Sequence, residues 1–157
     1  MNITLTQKER LLLEDQKKHE ELCIEKYTTY ANQAQDPQLK QLFQQYASQE
    51  KQHLDTVNQM LGGQVPNLQQ QQGQQNQHKQ QSKTMSGLGS SQNNSDASLC
   101  QDMLTTEKYV SGTYDTAIFE FTDPQARQVL NHIQKEEQQH GEGIFNYMQS
   151  HGMYNPK

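Results

Sequence analysis

The chain has 157 residues, a formal net charge of −5, 31% hydrophobic residues and a mean hydropathy of −1.11. That length can enclose one core, and without a basic stripe or interleaved aromatic and basic residues the acidic balance argues against nucleic acid as a partner. No apolar run is long enough for a membrane span, and residues 1–4 open neither the positive segment nor the apolar stretch of a signal peptide. Action in the compartment of synthesis, or assembly from it, is therefore expected.

The first predicted helix starts at a capping box, Thr6 with Glu9 three residues on, and no Gly or Pro interrupts it before Pro37. It should run over about 7–35 and bury a stripe of Leu13, Gln16, Glu20, Cys23, Tyr27, Tyr30 and Ala34, in which Glu20 is the single acid. Asp36 before Pro37 is the next start signal: the carboxylate accepts orphan N–H groups, and proline lacks the donor that would go unpaired. The second helix then carries Leu39, Leu42, Phe43, Tyr46, Glu50, His53, Val57 and Leu61 on one face and ends at Gly62-Gly63. Residues 62–95 follow, nearly free of large apolar side chains, with nine Gln among the thirteen residues from Gln69 to Gln81. Such a composition cannot bury a core and reads as a disordered connector. Its Gln residues beside Lys79 and Lys83 admit Gln–Lys crosslinking, although a solvated spacer is the plainer reading.

Ser95-Asp96 opens a third helix with the stripe Met103, Glu107, Val110, Tyr114, Ile118 and Phe121. Asp123-Pro124 opens a fourth with Ala126, Val129, Ile133, Glu137, His140, Ile144 and Tyr147, closed by Gly152 near Ser150. Tight turns make each consecutive pair antiparallel, which predicts an all-α, ferritin-like four-helix bundle forming one domain over 1–157: a hairpin at 6–61, the connector at 62–95 and a second hairpin at 96–152. A flexible chain of about 34 residues has a root-mean-square span of about 30–35 Å, and a 25-residue helix is about 37 Å long. The connector can therefore cross the bundle, which permits an up-down-down-up order without requiring it.

The two hairpins are copies. An offset of 87 residues carries Glu50 and His53 onto Glu137 and His140, Asp36-Pro37-Gln38 onto Asp123-Pro124-Gln125, Glu20 onto Glu107 and Tyr27 onto Tyr114. Positions i and i+3 share a helix face, so each Glu-x-x-His pair can present a carboxylate and an imidazole to one metal ion. Glu20 lies 16 residues before Asp36 and Glu50 lies 14 after it, a mismatch of about 3 Å in height at 1.5 Å per residue. The repeat gives Glu107 and Glu137 the same relation to Asp123. Four carboxylates and two imidazoles should thus converge at one level of the bundle centre.

A single Glu-x-x-His pair is ordinary on a solvated helix surface. Two in register, both on apolar stripes and each with a facing Glu, point to a dinuclear metal site or to the relic of one. Glu21 and Glu136 adjoin these positions but project about 100° away. Tyr27 and Tyr114 sit two turns from Glu20 and Glu107, where core packing is the default and a hydrogen bond to a ligand carboxylate the sharper alternative. His19, His132 and His151 fall outside the set as surface or helix-end residues. Cys23 and Cys100, which do not correspond in the repeat, are expected to be separate reduced thiols packing as small hydrophobes.

Taken in order, Glu20, Glu50-x-x-His53, Glu107 and Glu137-x-x-His140 resemble the six-ligand pattern of the ferritin-like di-metal carboxylate superfamily, which includes bacterioferritins, rubrerythrins and manganese catalases. The resemblance implies two Fe or Mn ions bridged by Glu50 and Glu137, with Glu20 and His53 terminal on one and Glu107 and His140 on the other. Residues 104–114 (LTTEKYVSGTY), 121–127 (FTDPQAR) and 132–140 (HIQKEEQQH), continuing through Tyr147-Met148 to Gly152-Met153-Tyr154, are similar to the coat F family of spore coat proteins. That resemblance implies synthesis in the mother-cell cytoplasm of a spore former and assembly with other spore coat proteins, or with further copies of the chain. A spore coat component with a di-metal site is thus the leading expectation. The alternative is a di-iron or di-manganese oxidative-stress enzyme of peroxidase, catalase or ferroxidase type.

Overall fold

A computed structural model describes residues 1–67 and 94–156. Its helices are α1 (Gln7–Gln33), α2 (Pro37–Leu61), α3 (Asn94–Glu120) and α4 (Pro124–Ser150). The connector at 62–95, with Lys79 and Lys83, falls for the most part outside the described residues. None of the described helices is long and apolar enough to cross a membrane.

The start signals of α1, α2 and α4 act as their chemistry demands. Thr6 Oγ1 accepts from Glu9 N at 3.2 Å while Glu9 Oε2 accepts from Thr6 N at 2.7 Å, which closes the capping box. Asp36 accepts from Gln38 N at 2.9 Å, and Asp123 from Gln125 N and Ala126 N at 2.9 and 2.8 Å. Helix α1 stops two residues short of the expected end, and the described part of α3 already includes Asn94, ahead of the expected Ser95. At the end of α2, Gly63 takes φ +79°, a left-handed conformation, and a Cβ there would sit 3.0 Å from Ile3 O. The chain beyond it is tied back to the N-terminus: Ile3 N donates to Gly63 O and Val65 N to Met1 O, both at 2.8 Å. The first residues of the expected loose connector are therefore held.

Contacts between the hairpins set the order of the helices. Gln16 meets Thr113, Lys26 and Tyr30 meet Asp102, and Glu9 meets Thr122, so α1 and α3 are antiparallel. Asp36 meets Tyr147, Gln49 meets His140 and His53 meets Glu136, so α2 and α4 are antiparallel as well. With both hairpins antiparallel, the directions run up, down, down, up, and α2 and α3 are parallel.

All four helices contribute to one core, with Leu13, Tyr27, Leu39, Phe43, Met60, Met103, Tyr114, Phe121, Leu130 and Ile144 fully enclosed. The expected stripes hold at all but four positions. Ala31, Met60 and Ala117 are buried where the neighbouring Tyr30, Leu61 and Ile118 are only half-buried, and Leu42 is half-buried beside the enclosed Phe43. Small side chains go inward where helices approach closely, and the Tyr30 hydroxyl instead reaches Asp102 Oδ2 at 2.7 Å. The expected burial of Tyr30, Leu42, Leu61 and Ile118 is corrected accordingly.

Acids at corresponding repeat positions lock the two hairpins together. Glu9, near the start of α1, accepts from the N–H and hydroxyl of Thr122 in the α3–α4 turn at 2.7 and 3.0 Å. Asp96, near the start of α3, accepts from Gln35 N and Asp36 N in the α1–α2 turn at 3.0 and 2.9 Å. Both side chains are buried. Burial opposes ionisation of Glu9, yet the N–H groups of Thr122 and Thr6 outweigh it and hold the carboxyl below its ordinary range. These clasps keep the two hairpins level, and with them the residues at mid-height.

Candidate metal centre

Each helix inserts one acid into the core at mid-height: Glu20 from α1, Glu50 from α2, Glu107 from α3 and Glu137 from α4, none more than 2% exposed. His53 and His140 stand one turn beyond Glu50 and Glu137 on the same inward faces and are 3% and 1% exposed. The six residues form two overlapping donor sets. Glu20, Glu50, His53 and Glu137 make one, and Glu50, Glu107, Glu137 and His140 the other; within each set the donor atoms all lie within 4.8 Å of one another. Glu50 and Glu137 belong to both.

Each imidazole turns Nδ1 toward the carboxylates. His53 Nδ1 lies 3.0 Å from Glu50 Oε2 and 3.1 Å from Glu137 Oε1. His140 Nδ1 lies 3.2 Å from Glu50 Oε1, 3.4 Å from Glu107 Oε1 and 3.5 Å from Glu137 Oε2. The other ring nitrogens face away, His53 Nε2 to Glu136 Oε2 at 2.7 Å and His140 Nε2 to Gln49 Oε1 at 2.9 Å. The Tyr27 hydroxyl donates to Glu107 Oε1 and the Tyr114 hydroxyl to Glu20 Oε1, so each tyrosine orients the acid of the opposite hairpin. Burial and the nearby carboxylates push both phenols well above their ordinary range, which keeps them as donors.

Three oxygens in this enclosed centre accept no hydrogen bond from the protein: Glu20 Oε2, Glu107 Oε2 and Glu137 Oε2. Burying an acceptor without a partner costs about 1–3 kcal/mol, and more if it is charged. Converging orphan oxygens beside inward-facing imidazole nitrogens suit a hard or borderline cation that takes carboxylate and imidazole donors together.

Without a cation, protons must do the neutralising. Burial, reinforced by the charges of Glu137 and Glu50, pushes Glu20 well above the usual carboxylate range. Burial and the charge of Glu137 likewise push Glu107 up to about 7. Burial also works against ionised Glu50 and Glu137, but the two histidines overcome it and hold both acids below their ordinary value. Burial disfavours charge on His53 and His140 too, and the surrounding carboxylates more than reverse it, so both are pushed well above 6.5.

All eight positions singled out from the sequence meet in this centre, the two tyrosines through hydrogen bonds to the acids. The structure adds residues that the sequence reading had set aside. Glu136 is buried and bonded to His53, whereas Glu21 is exposed. His132 is half-buried, 3.4 Å from Glu136, and so belongs to the fringe of the centre rather than to plain surface. Tyr46 stacks on His140 with ring centroids 4.3 Å apart, and Gly143 leaves room for its hydroxyl. Cys23 and Cys100 are free and buried. Burial and the carboxylates of the centre push the Cys23 thiol far above its ordinary range, so it packs there as a neutral group.

Residues 95–157 match the family model of the Coat F domain. The match covers α3, α4 and their turn, and with them Glu107, Tyr114, Glu137 and His140. No curated protein and no solved structure matches the chain.

Proposed function

We propose that the chain is a spore coat component: one ferritin-like four-helix domain over 1–157 that holds two Fe or Mn ions at its centre. The Coat F match at 95–157 supports the place in the coat, a place that implies synthesis in the mother-cell cytoplasm. Other coat proteins, or further copies of the chain, are its partners; nucleic acid and membrane are not. The unpaired, fully buried oxygens of Glu20, Glu107 and Glu137 carry the metal reading.

In this reading Glu50 and Glu137, common to both donor sets, would serve both ions, with Glu20 and His53 completing one set and Glu107 and His140 the other. Tyr27 and Tyr114 fix the orientation of Glu107 and Glu20 by donating to one oxygen of each, which leaves the second oxygen free. Iron or manganese bound there would supply redox or Lewis-acid chemistry toward dioxygen or peroxide. The enclosing core, with Tyr27 and Tyr46 packed beside His140 and Phe43 against Tyr27, keeps bulk water from the centre.

Metal content of protein purified without chelator tests this, measured by mass spectrometry beside a Glu50→Ala/Glu137→Ala variant. About two equivalents in the parent and none in the variant are expected. No bound metal, even after anaerobic loading with iron and manganese, refutes the metal reading. The oxidative-stress enzyme rests on the same donor sets and separates from a structural coat role by peroxide turnover: an enzyme loses turnover in the variant, whereas a structural brick never shows it.

A further inference from the structure

The two halves of the centre match in their ligands but not in what stands behind the histidines. The residue just before each shared glutamate reaches across to the imidazole of the opposite hairpin: Glu136 to His53 Nε2 and Gln49 to His140 Nε2. Positions 49 and 136 correspond under the offset of 87, so one structural role is filled by an amide in one half and a carboxyl in the other. The environments differ too. Glu136 is the more deeply buried and stands 3.4 Å from His132 Nε2; Gln49 is half-buried, and Gln45 occupies the position equivalent to His132.

Resting on the di-metal reading, we infer that Glu136 is a positioning residue that makes the Glu20/His53 half the tighter of two inequivalent sites, so that a divalent cation fills it first. A carboxylate accepting the Nε2–H makes the opposite ring nitrogen a better donor than an amide oxygen does. Loss of a partner of this kind lowers metal affinity by about 10–100-fold.

Stepwise Mn²⁺ and Co²⁺ binding, followed by calorimetry and by competition with a fluorescent chelator, tests the inference on the full chain, with thermal melts confirming each variant folded. The wild type should bind two equivalents in steps about 10–100-fold apart. Glu136→Gln should weaken the tight step by that factor and merge it with the other, while Gln49→Glu should strengthen the weak step instead. Glu20→Gln should act on the tight step and Glu107→Gln on the weak one. Two equivalents bound identically by wild type and Glu136→Gln, or both steps weakened equally as a general structural defect would do, overturns the inference while leaving the site intact. Absence of binding in the wild type overturns both.

Discussion

Loading the centre with metal should expel about four protons for every two divalent ions at pH 6. Near that pH the raised Glu20 and Glu107 are neutral, the lowered Glu50 and Glu137 are anions, and the raised His53 and His140 are cations. These six groups then sum to zero charge. Two like charges about 4 Å apart at an effective dielectric of about 20 repel by about 4 kcal/mol, so four ionised carboxylates without cations are untenable. Two divalent ions require four carboxylates and two neutral imidazoles, which is neutral again once four protons have left. The overall binding constant for the pair should therefore rise by about four powers of ten per pH unit near pH 6, easing toward three above pH 7 as Glu107, at about 7, ionises unaided. Calorimetric Mn²⁺ titrations in two buffers of different ionisation enthalpy count the protons directly. Release of one proton or none at pH 6 would refute the neutralisation argument.

The metal-free fold should show the matching pH dependence. Glu20 and Glu107, raised above 4.5, lend stability that is lost as pH climbs through their folded values, for Glu107 near 7; the raised histidines do the same above 6.5, while the lowered Glu50 and Glu137 lose theirs as pH falls below 4.5. Tm without metal should accordingly fall between pH 6 and pH 8 and recover with Mn²⁺; a rise over that interval contradicts the assignment. Gly143→Ala would place a Cβ 1.8 Å from the Tyr46 hydroxyl oxygen and 3.1 Å from its ring. A loss of about 1–3 kcal/mol by denaturant unfolding is expected, largely relieved in a Tyr46→Phe background. Asp96→Ala strands the N–H groups of Gln35 and Asp36 and should cost about 1–3 kcal/mol by the same assay, as should Glu9→Ala at the opposite turn; an unchanged midpoint would show that the clasps do not hold the hairpins.

Helix starts and the six central residues were legible because their signals are local or periodic. Asp-Pro reports its own hydrogen-bond chemistry, and a Glu-x-x-His pair on an apolar stripe carries its facing in its spacing. The role of Glu136 was not legible, because position 136 is buried only if another helix lies on that flank, and the sequence left the order of the helices open. The same gap hid the clasps. Glu9 and Asp96 correspond under the repeat, but each acid finds its partner in the other hairpin's turn only when α1 and α3 are antiparallel. Tyr30 and Ile118 were placed inside by their size and apolarity, whereas close helix approach favours alanine at the adjacent positions.

Once the helix order is known, the repeat becomes informative where it fails. Its matched positions, Glu20 with Glu107 and Glu50 with Glu137, build a symmetric cage that would treat two ions alike. Around each ring the copies diverge: Gln49 against Glu136 behind the imidazole, and Tyr46, stacked on His140, against Ile133 at the corresponding place. A centre that took up two ions in sequence, the first beside Glu136 and the second beside Tyr46, would account for both departures together.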